Sequence, residues 1–261
     1  MSWNKRRERM RKSLSGRALL GAASLAYGAG VLARRGLYAI GALPRTRIRA
    51  KVICVGNLTS GGTGKTPAVL LAAETLRKRG HEVAILSRGY GREVSKKEVS
   101  VLIDGRHTDW RQCGDEPWMI HQSLQGQGIP VLVCANRVKA GELAVEMYGS
   151  RVLILDDGFQ HLRLHRDLDI VLVNARNPFG GRQLLPLGDL REPLTALRRA
   201  GMVVITHADR VTAAELSRLR EDIDAAHPGV PVLESAHKAD HLLDVKTEAK
   251  LPLSRLKGRA L

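Results

Sequence analysis

Aromatic side chains and cysteines are scarce in this sequence. Aromatic residues make up 3% of the 261 residues, which argues against proteins that bind single-stranded nucleic acid by stacking bases on exposed rings. The three cysteines, Cys54, Cys113 and Cys134, are far apart and form no Cys-x-x-Cys pair. We therefore expect neither a zinc site nor a disulfide framework. Free thiols of this kind suit a reducing cytoplasm.

The sequence also lacks a clear membrane-spanning run. The charge-free stretch Ala18–Ala33 ends at Arg34 and Arg35, and as a helix it measures about 24 Å against a hydrocarbon core of about 30 Å. Seven Lys and Arg residues precede it within residues 1–17. We expect residues 1–45 to associate with a membrane, with the apolar helix dipping into one leaflet and the basic side chains contacting anionic headgroups. A solvated basic tail is the alternative.

Acidic residues are in deficit, because 26 Asp and Glu stand against 42 Lys and Arg and give a net charge of +16. Such an excess implies an anionic partner: a nucleic acid, an anionic membrane or a phosphorylated substrate. With so few aromatic residues, the membrane surface and the phosphorylated substrate are favoured, and no nucleic acid is expected. A basic nucleic-acid-binding module is an alternative, and it would lose DNA affinity steeply with salt.

A glycine-rich phrase follows the apolar run Val52–Val55 and precedes an apolar helical run that begins at Pro67. This order predicts a phosphate-binding loop, because glycines let backbone N–H groups face a phosphate and the helix N-terminus adds its positive dipole end. The lysine would reach the outer phosphates, and the threonine hydroxyl after it would hold Mg²⁺. The match to G-x-x-x-x-G-K-[ST] is incomplete, since a threonine replaces the first glycine. The predicted nucleotide-binding residues are Thr59, Ser60, Gly61, Gly62, Thr63, Gly64, Lys65 and Thr66.

From Arg49 onward, short apolar runs alternate with amphipathic helical ones. This alternation predicts an α/β fold with a doubly wound, mostly parallel sheet of the P-loop NTPase kind. The insertion Glu93–Trp110 breaks the rhythm and is predicted to form a β-hairpin. Strands are expected at Lys51–Val55, Glu82–Leu86, Pro130–Cys134, Val152–Leu155, Asp169–Val173 and Met202–Thr206. Helices are expected at Pro67–Arg79, Glu116–Gln125, Val138–Met147, Leu194–Arg199 and Ala213–Ala226.

Carboxylates and arginines follow several of the predicted strands. Asp156 and Asp157 end the strand before them, which suits Mg²⁺ held directly or through water; an Asp-Asp-Gly turn without a ligand is the alternative. Arg88 and Arg92 lie in a glycine-interleaved loop where a guanidinium can approach phosphate closely, although both could simply be exposed. Arg137 is expected to face the same site and to bind a phosphate already present on the substrate.

Five phrases together resemble the tetraacyldisaccharide 4'-kinase family of lipid A biosynthesis, over about residues 20–209. Each phrase alone is short, but all five occur here in the family's order. They are Val55-Gly-Asn-Leu-Thr-Ser-Gly-Gly-Thr-Gly-Lys-Thr-Pro67, Ser87-Arg-Gly-Tyr-Gly-Arg92, Gly114-Asp-Glu-Pro117, Asp156-Asp-Gly-Phe-Gln-His161 and Leu185-Pro-Leu-Gly-Asp-Leu-Arg-Glu-Pro193.

The resemblance implies an ATP- and Mg²⁺-dependent kinase that phosphorylates the 4'-hydroxyl of a tetraacylated disaccharide 1-phosphate at the cytoplasmic face of the bacterial inner membrane. It implies that Asp115 helps to activate the acceptor hydroxyl, although an N-cap is the ordinary reading of an aspartate there. It also places Gln160 and His161 near the reacting centre, and Arg191 and Glu192 near the nucleotide and Mg²⁺. We predict a kinase core at 46–166 and a smaller α/β lobe at 167–261.

The resemblance is incomplete at the C-terminus. The family carries a Phe-Pro-Asp-His-His phrase whose histidine works with the catalytic aspartate, and this sequence has no such phrase. We therefore expect the natural protein to continue for several dozen residues beyond Leu261, and turnover by this chain to be impaired. The alternative function is a membrane- or DNA-associated switch ATPase like ParA or MinD, but Ser60 replaces the signature lysine of those proteins.

Overall fold

The computed structural model describes residues 3–95, 97–105, 109–236, 238, 242–244, 247 and 249–256. Its strands are β1 Lys51–Asn57, β2 Val83–Ser87, β3 Ser100–Leu102, β4 Val131–Val133, β5 Val152–Asp156, β6 Leu168–Asn174, β7 Met202–Thr206, β8 Val232–Glu234, β9 Leu242–Leu243 and β10 Lys250–Leu251. Its α-helices are α1 Trp3–Lys12, α2 Leu14–Ala39, α3 Lys65–Lys78, α4 Trp110–Cys113, α5 Asp115–Ser123, α6 Arg137–Tyr148 and α7 Ala213–Ala226. Residues Leu194–Arg199 form a 3₁₀-helix.

Eight of the strands form one sheet in the order β3-β4-β2-β5-β1-β6-β7-β8. Neighbouring strands are parallel except for β3 and β4. The predicted fold class is therefore confirmed, and each predicted strand is present to within two residues at either end. Strand β8 was not predicted.

The insertion Glu93–Trp110 differs from its prediction. Its described residues contain a single strand, β3, which pairs antiparallel with β4 at the edge of the main sheet. Lys96 and residues 106–108 lie outside the described residues. The expected β-hairpin is thus replaced by an added edge strand, because the apolar alternation of the insertion found a partner in β4.

Helices cover both faces of the sheet, as successive residues of β5 demonstrate. Side chains alternate between the two faces of a strand, and Leu153 belongs to one buried cluster while Ile154 belongs to another. Residues of α6 and α7 pack in the first cluster, and residues of α3 and α5 pack in the second. Because both faces are buried, the strands consist of nearly continuous apolar runs.

Helix α2 is longer than predicted. It continues through Arg34 and Arg35 to Ala39, since the sequence offers no proline to stop it. Among the described residues it is the one helix long and apolar enough, by length and composition alone, to cross a membrane. The expected end of the helix at the arginine pair was wrong, and so was the short length inferred from it.

The arginine pair of α2 is turned toward the body of the protein. Arg34 donates a hydrogen bond to the carbonyl of Gln160, and Arg35 lies 3.7 Å from Glu192. On the rest of the helix, the large apolar side chains Leu19 and Leu25 are more than half exposed. The helix therefore rests on the protein by these polar contacts and by the buried Leu20, and it leaves an apolar surface open.

The predicted boundary at residue 166 falls between β5 and β6, and both strands pair with β1 in the same sheet. The division into a core at 46–166 and a lobe at 167–261 stays a prediction.

The approach of β1 to the loop after β5 gives a test of the fold. A Cβ atom on Gly56 would lie 2.7 Å from the Cβ and 3.0 Å from the backbone nitrogen of Phe159, which is fully buried. We expect Gly56→Ala to lower the free energy of unfolding by about 1–3 kcal/mol through overpacking, as measured by urea denaturation. Gly36→Ala is the control, because no atom lies within 4 Å of that Cβ position; an equal effect of the two substitutions would contradict this packing.

Candidate active site

The predicted phosphate-binding loop turns sharply between β1 and α3. Gly61 and Gly64 adopt positive φ angles of 126° and 78°, which side-chain-bearing residues rarely adopt. Helix α3 begins directly afterwards at Lys65. The loop therefore ends at a helix N-terminus, where backbone N–H groups and the helix dipole favour an anion.

Residues at the ends of two neighbouring strands, β6 and β7, hydrogen-bond to this loop. The Thr206 hydroxyl at the end of β7 donates to the carbonyl of Thr63 over 3.1 Å. The Asn174 amide at the end of β6 donates to the carbonyl of Gly62, also over 3.1 Å. These contacts hold loop carbonyls away from the site, which leaves the backbone N–H groups to face a phosphate.

Asp157 lies between two cations at the end of β5. Lys65 Nζ is 3.8 Å from Asp157 Oδ1, and Arg191 Nη1 donates to both carboxylate oxygens over 2.9 and 2.8 Å. Asp157 itself adopts a positive φ of 49°, an unusual backbone conformation for a residue with a side chain. Lys65 and the paired acids are thus on the same edge of the sheet, as the sequence predicted.

Asp156 is almost fully buried beside the loop. Its Oδ2 accepts a hydrogen bond of 3.0 Å from Ser87, while its Oδ1 is buried without a hydrogen-bond partner among the described residues. Burial, together with the nearby Glu116 carboxylate, raises the pKa of Asp156 to about 7. A cation at this point would supply the missing partner and favour the ionised carboxylate.

The donors fit Mg²⁺. The Thr66 hydroxyl, which donates to Glu116 over 3.2 Å, and the two aspartates supply the hard oxygen ligands that this ion prefers. Within the described part of the chain, no group of three or more His, Cys, Asp and Glu residues could hold a metal by itself. That agrees with Mg²⁺ sites in which one or two protein groups act together with substrate phosphates and water.

A cavity of about 690 Å³ opens over this edge of the sheet. It is lined by Tyr27, Arg34, Lys65, Ser87, Arg88, Gly89, Tyr90, Glu116, Ala135, Arg137, Asp156, Asp157, Gln160, His161, Leu185 and Arg191. Most of these residues follow the carboxyl ends of β1, β2, β4 and β5, where ligands gather in such sheets.

Buried polar groups form the floor of the cavity. Arg137 is 3% exposed, and burial, reinforced by the charge of Arg88, lowers its pKa to about 10, so it stays cationic at neutral pH. Burial and the charge of Arg137 lower the pKa of His161 to about 4. The imidazole is therefore neutral at physiological pH and can accept or donate one hydrogen bond without adding charge.

Three of the predicted site residues do not line the 690 Å³ cavity, contrary to the sequence interpretation. Asp115 is exposed at the start of α5, where its carboxylate accepts from the N–H of Glu116 over 2.9 Å. Glu192 is buried and held by both terminal nitrogens of Arg199 over 2.8 and 3.0 Å. Arg92 is turned inward and donates to three backbone carbonyls, as a structural residue.

The sequence interpretation missed Glu116 and the contributions of α2. Glu116 is next to Asp115 in the Gly-Asp-Glu-Pro phrase, so the sequence pattern did not distinguish which of the two acids lines the cavity. Tyr27 of α2 donates from its hydroxyl to the carbonyl of Arg191 over 2.9 Å, and no local pattern marks it as a site residue. A second cavity of about 320 Å³ lies between α2 and the loops that carry Gln160 and Arg191.

Comparisons with known proteins agree with this geometry. The family model described as tetraacyldisaccharide-1-P 4'-kinase matches residues 16–261. A protein named tetraacyldisaccharide 4'-kinase from Elusimicrobium minutum is 41% identical over 261 residues, which cover all of this chain and 70% of the relative. A protein of the same name from Anaeromyxobacter dehalogenans is 44% identical over 249 residues, which cover 95% of this chain and 64% of the relative.

A comparison with solved structures also matches a protein of this family. The structure of LpxK from Aquifex aeolicus in complex with ATP matches with a TM-score of 0.74 and 33% sequence identity, covering 94% of this chain and 72% of that one. A ParA protein bound to nonspecific DNA matches with a TM-score of only 0.41 and 16% identity, so the likeness supports no ParA-like function. The chain belongs to the tetraacyldisaccharide-1-phosphate 4'-kinase family.

Proposed function

We propose that this chain binds ATP with Mg²⁺ and transfers the γ-phosphate to the 4'-hydroxyl of a tetraacyldisaccharide 1-phosphate, a lipid A precursor. One observation carries the proposal: the 690 Å³ cavity joins the P-loop lysine, the paired acids, the buried Arg137 and the surface of α2 in one space. A nucleotide and a lipid headgroup can therefore meet at the strand ends.

Positioning and charge compensation supply most of the catalysis in a phosphoryl transfer. The backbone N–H groups of residues 59–64 would cradle the phosphates, and Lys65 would neutralise the charge of the transferred group. Mg²⁺, held by Thr66 together with Asp156 and Asp157, would supply further positive charge at the phosphate oxygens. Glu192 would act less directly, since Arg199 already occupies its carboxylate.

The lipid acceptor would lie on the side of the cavity opposite the nucleotide. Arg137 and the exposed Arg88 present guanidinium groups that suit the phosphate already on the disaccharide. Gln160, His161 and Arg191 would contact the sugar between that phosphate and the nucleotide. Because His161 is neutral, it can hydrogen-bond a hydroxyl without competing with Lys65 for the phosphates.

Asp115 is the proposed acceptor of the proton from the 4'-hydroxyl. It directly precedes the cavity-lining Glu116 at the start of α5. Catalytic hydrogen bonds are often formed only once the substrates are bound. Its exposure in the free chain is therefore compatible with the role.

Helix α2 supports a lipid acceptor and a membrane location. Its exposed apolar side chains, including Leu19 and Leu25, would enter one leaflet, while basic residues of α1 meet anionic headgroups. The 320 Å³ cavity beneath α2, lined in part by Ala26, Gly30 and Val31, offers apolar surface beside the site. Since ATP is cytoplasmic, we place the protein on the cytoplasmic face of the bacterial inner membrane, and we expect no nucleic-acid partner.

Labelled phosphate tests the proposal directly. ATP carrying label at the γ-phosphate is incubated with the chain, Mg²⁺ and vesicles that contain the disaccharide 1-phosphate. Transfer of label to the lipid supports the kinase, whereas release to water without lipid labelling contradicts it. The 1-dephosphorylated disaccharide is the matched acceptor, and we expect it to be used less well if Arg137 and Arg88 bind the 1-phosphate.

Lys65 should be indispensable for transfer. We expect Lys65→Met to lower the rate of lipid labelling at least about 100-fold, because the lysine compensates charge that develops in the transition state. Lys78→Met removes a lysine at the far end of the same helix, where the side chain is 78% exposed, and should leave the rate unchanged. Retention of more than a tenth of the wild-type rate by Lys65→Met would argue against this role.

Substitutions of the two neighbouring acids of α5, Asp115 and Glu116, should impair different steps of the reaction. Asp115→Asn is expected to lower kcat about 100-fold with little change in ATP affinity, because it removes only the proton acceptor. Glu116→Gln is expected to weaken ATP binding, since its carboxylate contacts the Thr66 hydroxyl. Steady-state kinetics and equilibrium binding of ATP separate the two; if Asp115→Asn turned over normally, the base would have to be another residue.

A further inference from the structure

The loop 183–192 lies against the phosphate-binding loop; we call it the brace loop. The N–H of Ser60 donates to the carbonyl of Asp189 over 2.7 Å, and the N–H of Arg191 donates to the carbonyl of Leu58 over 2.7 Å. Between these two bonds, Thr59 forms an antiparallel bridge with Leu190. The backbone of the brace loop therefore fixes the first residues of the phosphate-binding loop.

The brace loop has little freedom of its own. A Cβ atom on Gly188 would lie 2.0 Å from the carbonyl oxygen of Gln183, and one on Gly180 would lie 2.5 Å from the Cβ of Asp189. The N–H of Asp189 also donates to the carbonyl of Gly180 over 3.1 Å. A displacement of Asp189 cannot be absorbed locally in such a tightly packed turn and would be passed on to Ser60.

The side chain of Asp189 faces the N-terminal helix. Arg7 donates to its Oδ1 over 2.6 Å, and Arg11 approaches the same oxygen at 3.4 Å. The two arginines are four residues apart, so they lie on one face of α1. Helix α2 adds a second contact to the same loop, because the Ser24 hydroxyl donates to the carbonyl of Leu184 over 2.9 Å.

We propose that Asp189 is a positioning residue that links the docking of α1 to the geometry of the phosphate-binding loop. Arg7 and Arg11 hold its carboxylate, its carbonyl holds Ser60, and nucleotide binding therefore depends on the basic N-terminal helix. The inference rests on the proposed nucleotide site and adds a residue and a segment that the chemistry itself does not require.

The charges of α1 are divided between two tasks. Arg7 and Arg11 are partly buried against Asp189, with 13% and 29% of their side chains exposed. Arg9 and Lys12 are exposed on the same helix and form no ion pair with a described residue. The first pair serves the brace loop, and the second pair is free for anionic headgroups.

Matched charge reversals separate these tasks. Arg7→Glu and Arg9→Glu change the net charge of α1 equally, but only Arg9 is free for headgroups, so Arg9→Glu should weaken binding of the full chain to vesicles with anionic lipid more than Arg7→Glu does. Arg7→Glu alone should weaken binding of a ribose-labelled fluorescent ATP analogue in the presence of Mg²⁺, by about fivefold, the order of the net contribution of one ordinary hydrogen bond. The double variant Arg7→Glu with Asp189→Arg should recover most of the nucleotide affinity.

The outcomes are distinct. Equal nucleotide affinities for Arg7→Glu and Arg9→Glu, or no recovery in the folded double variant, would overturn the proposal. Asp189→Asn provides a second route if a reversal prevents folding, because it keeps the backbone bonds and removes only the charge; unchanged nucleotide affinity in this variant would also overturn it. Nucleotide binding is measured without the lipid acceptor, so a failure of lipid phosphorylation would count against the proposed function alone.

Discussion

The site depends on holding opposite charges close together at the partly buried edge of the sheet. Asp157 is shared by Lys65 and Arg191, and Asp156 is buried with one oxygen unpartnered among the described residues. Desolvation makes each of these charges costly unless it is compensated. An incoming phosphate and its cation can therefore replace internal partners at low net cost, since charges of both signs already line the cavity.

A second set of ion pairs holds the loop after β5 in place. Arg166 pairs with the buried Asp169 over 2.9 Å and donates to the carbonyls of Gly158 and His161. Arg199 adds a bond to the carbonyl of Phe159 and lies 4.3 Å from the centre of that ring. Neither arginine lines the 690 Å³ cavity, yet both hold the backbone from which Asp157, Gln160 and His161 project. The large number of arginines in the chain thus serves loop positioning as well as anion binding.

The N-terminal helix α2 lies on one side of the site. Contacts from α2 to Gln160, Leu184 and Arg191 lie on one side of the cavity, and its opposite apolar surface is exposed. A membrane that receives this surface would lie beside the cavity mouth, so a lipid headgroup would not have to leave the interface to reach the P-loop. The same helices that would bind the bilayer also contact the brace loop, so the proposed membrane contact and the proposed link to nucleotide binding would share one part of the chain.

The sequence by itself determined the fold class and the family to which the chain belongs. Continuous apolar strands such as Pro130–Cys134, which an amphipathic helix follows, predicted a parallel sheet covered on both faces, and the glycine-rich phrase before Lys65 predicted a phosphate-binding turn. Both follow from local rules of periodicity and backbone conformation, which a single sequence carries. The full length of α2 was missed because two arginines resemble the end of an apolar helix, although distant residues, Gln160 and Glu192, contact them.

Only the tertiary structure decided which charges line the cavity and which support it. Asp115 and Glu116 are neighbours in sequence, yet one is exposed and the other contacts Thr66. The sequence interpretation made Glu192 a metal ligand, whereas in the structure both carboxylate oxygens of Glu192 accept hydrogen bonds from Arg199. The contact of Arg7 with Asp189 joins residues 182 positions apart in the sequence. Long-range pairings of this kind depend on how the strands and helices are stacked, and no local pattern records them.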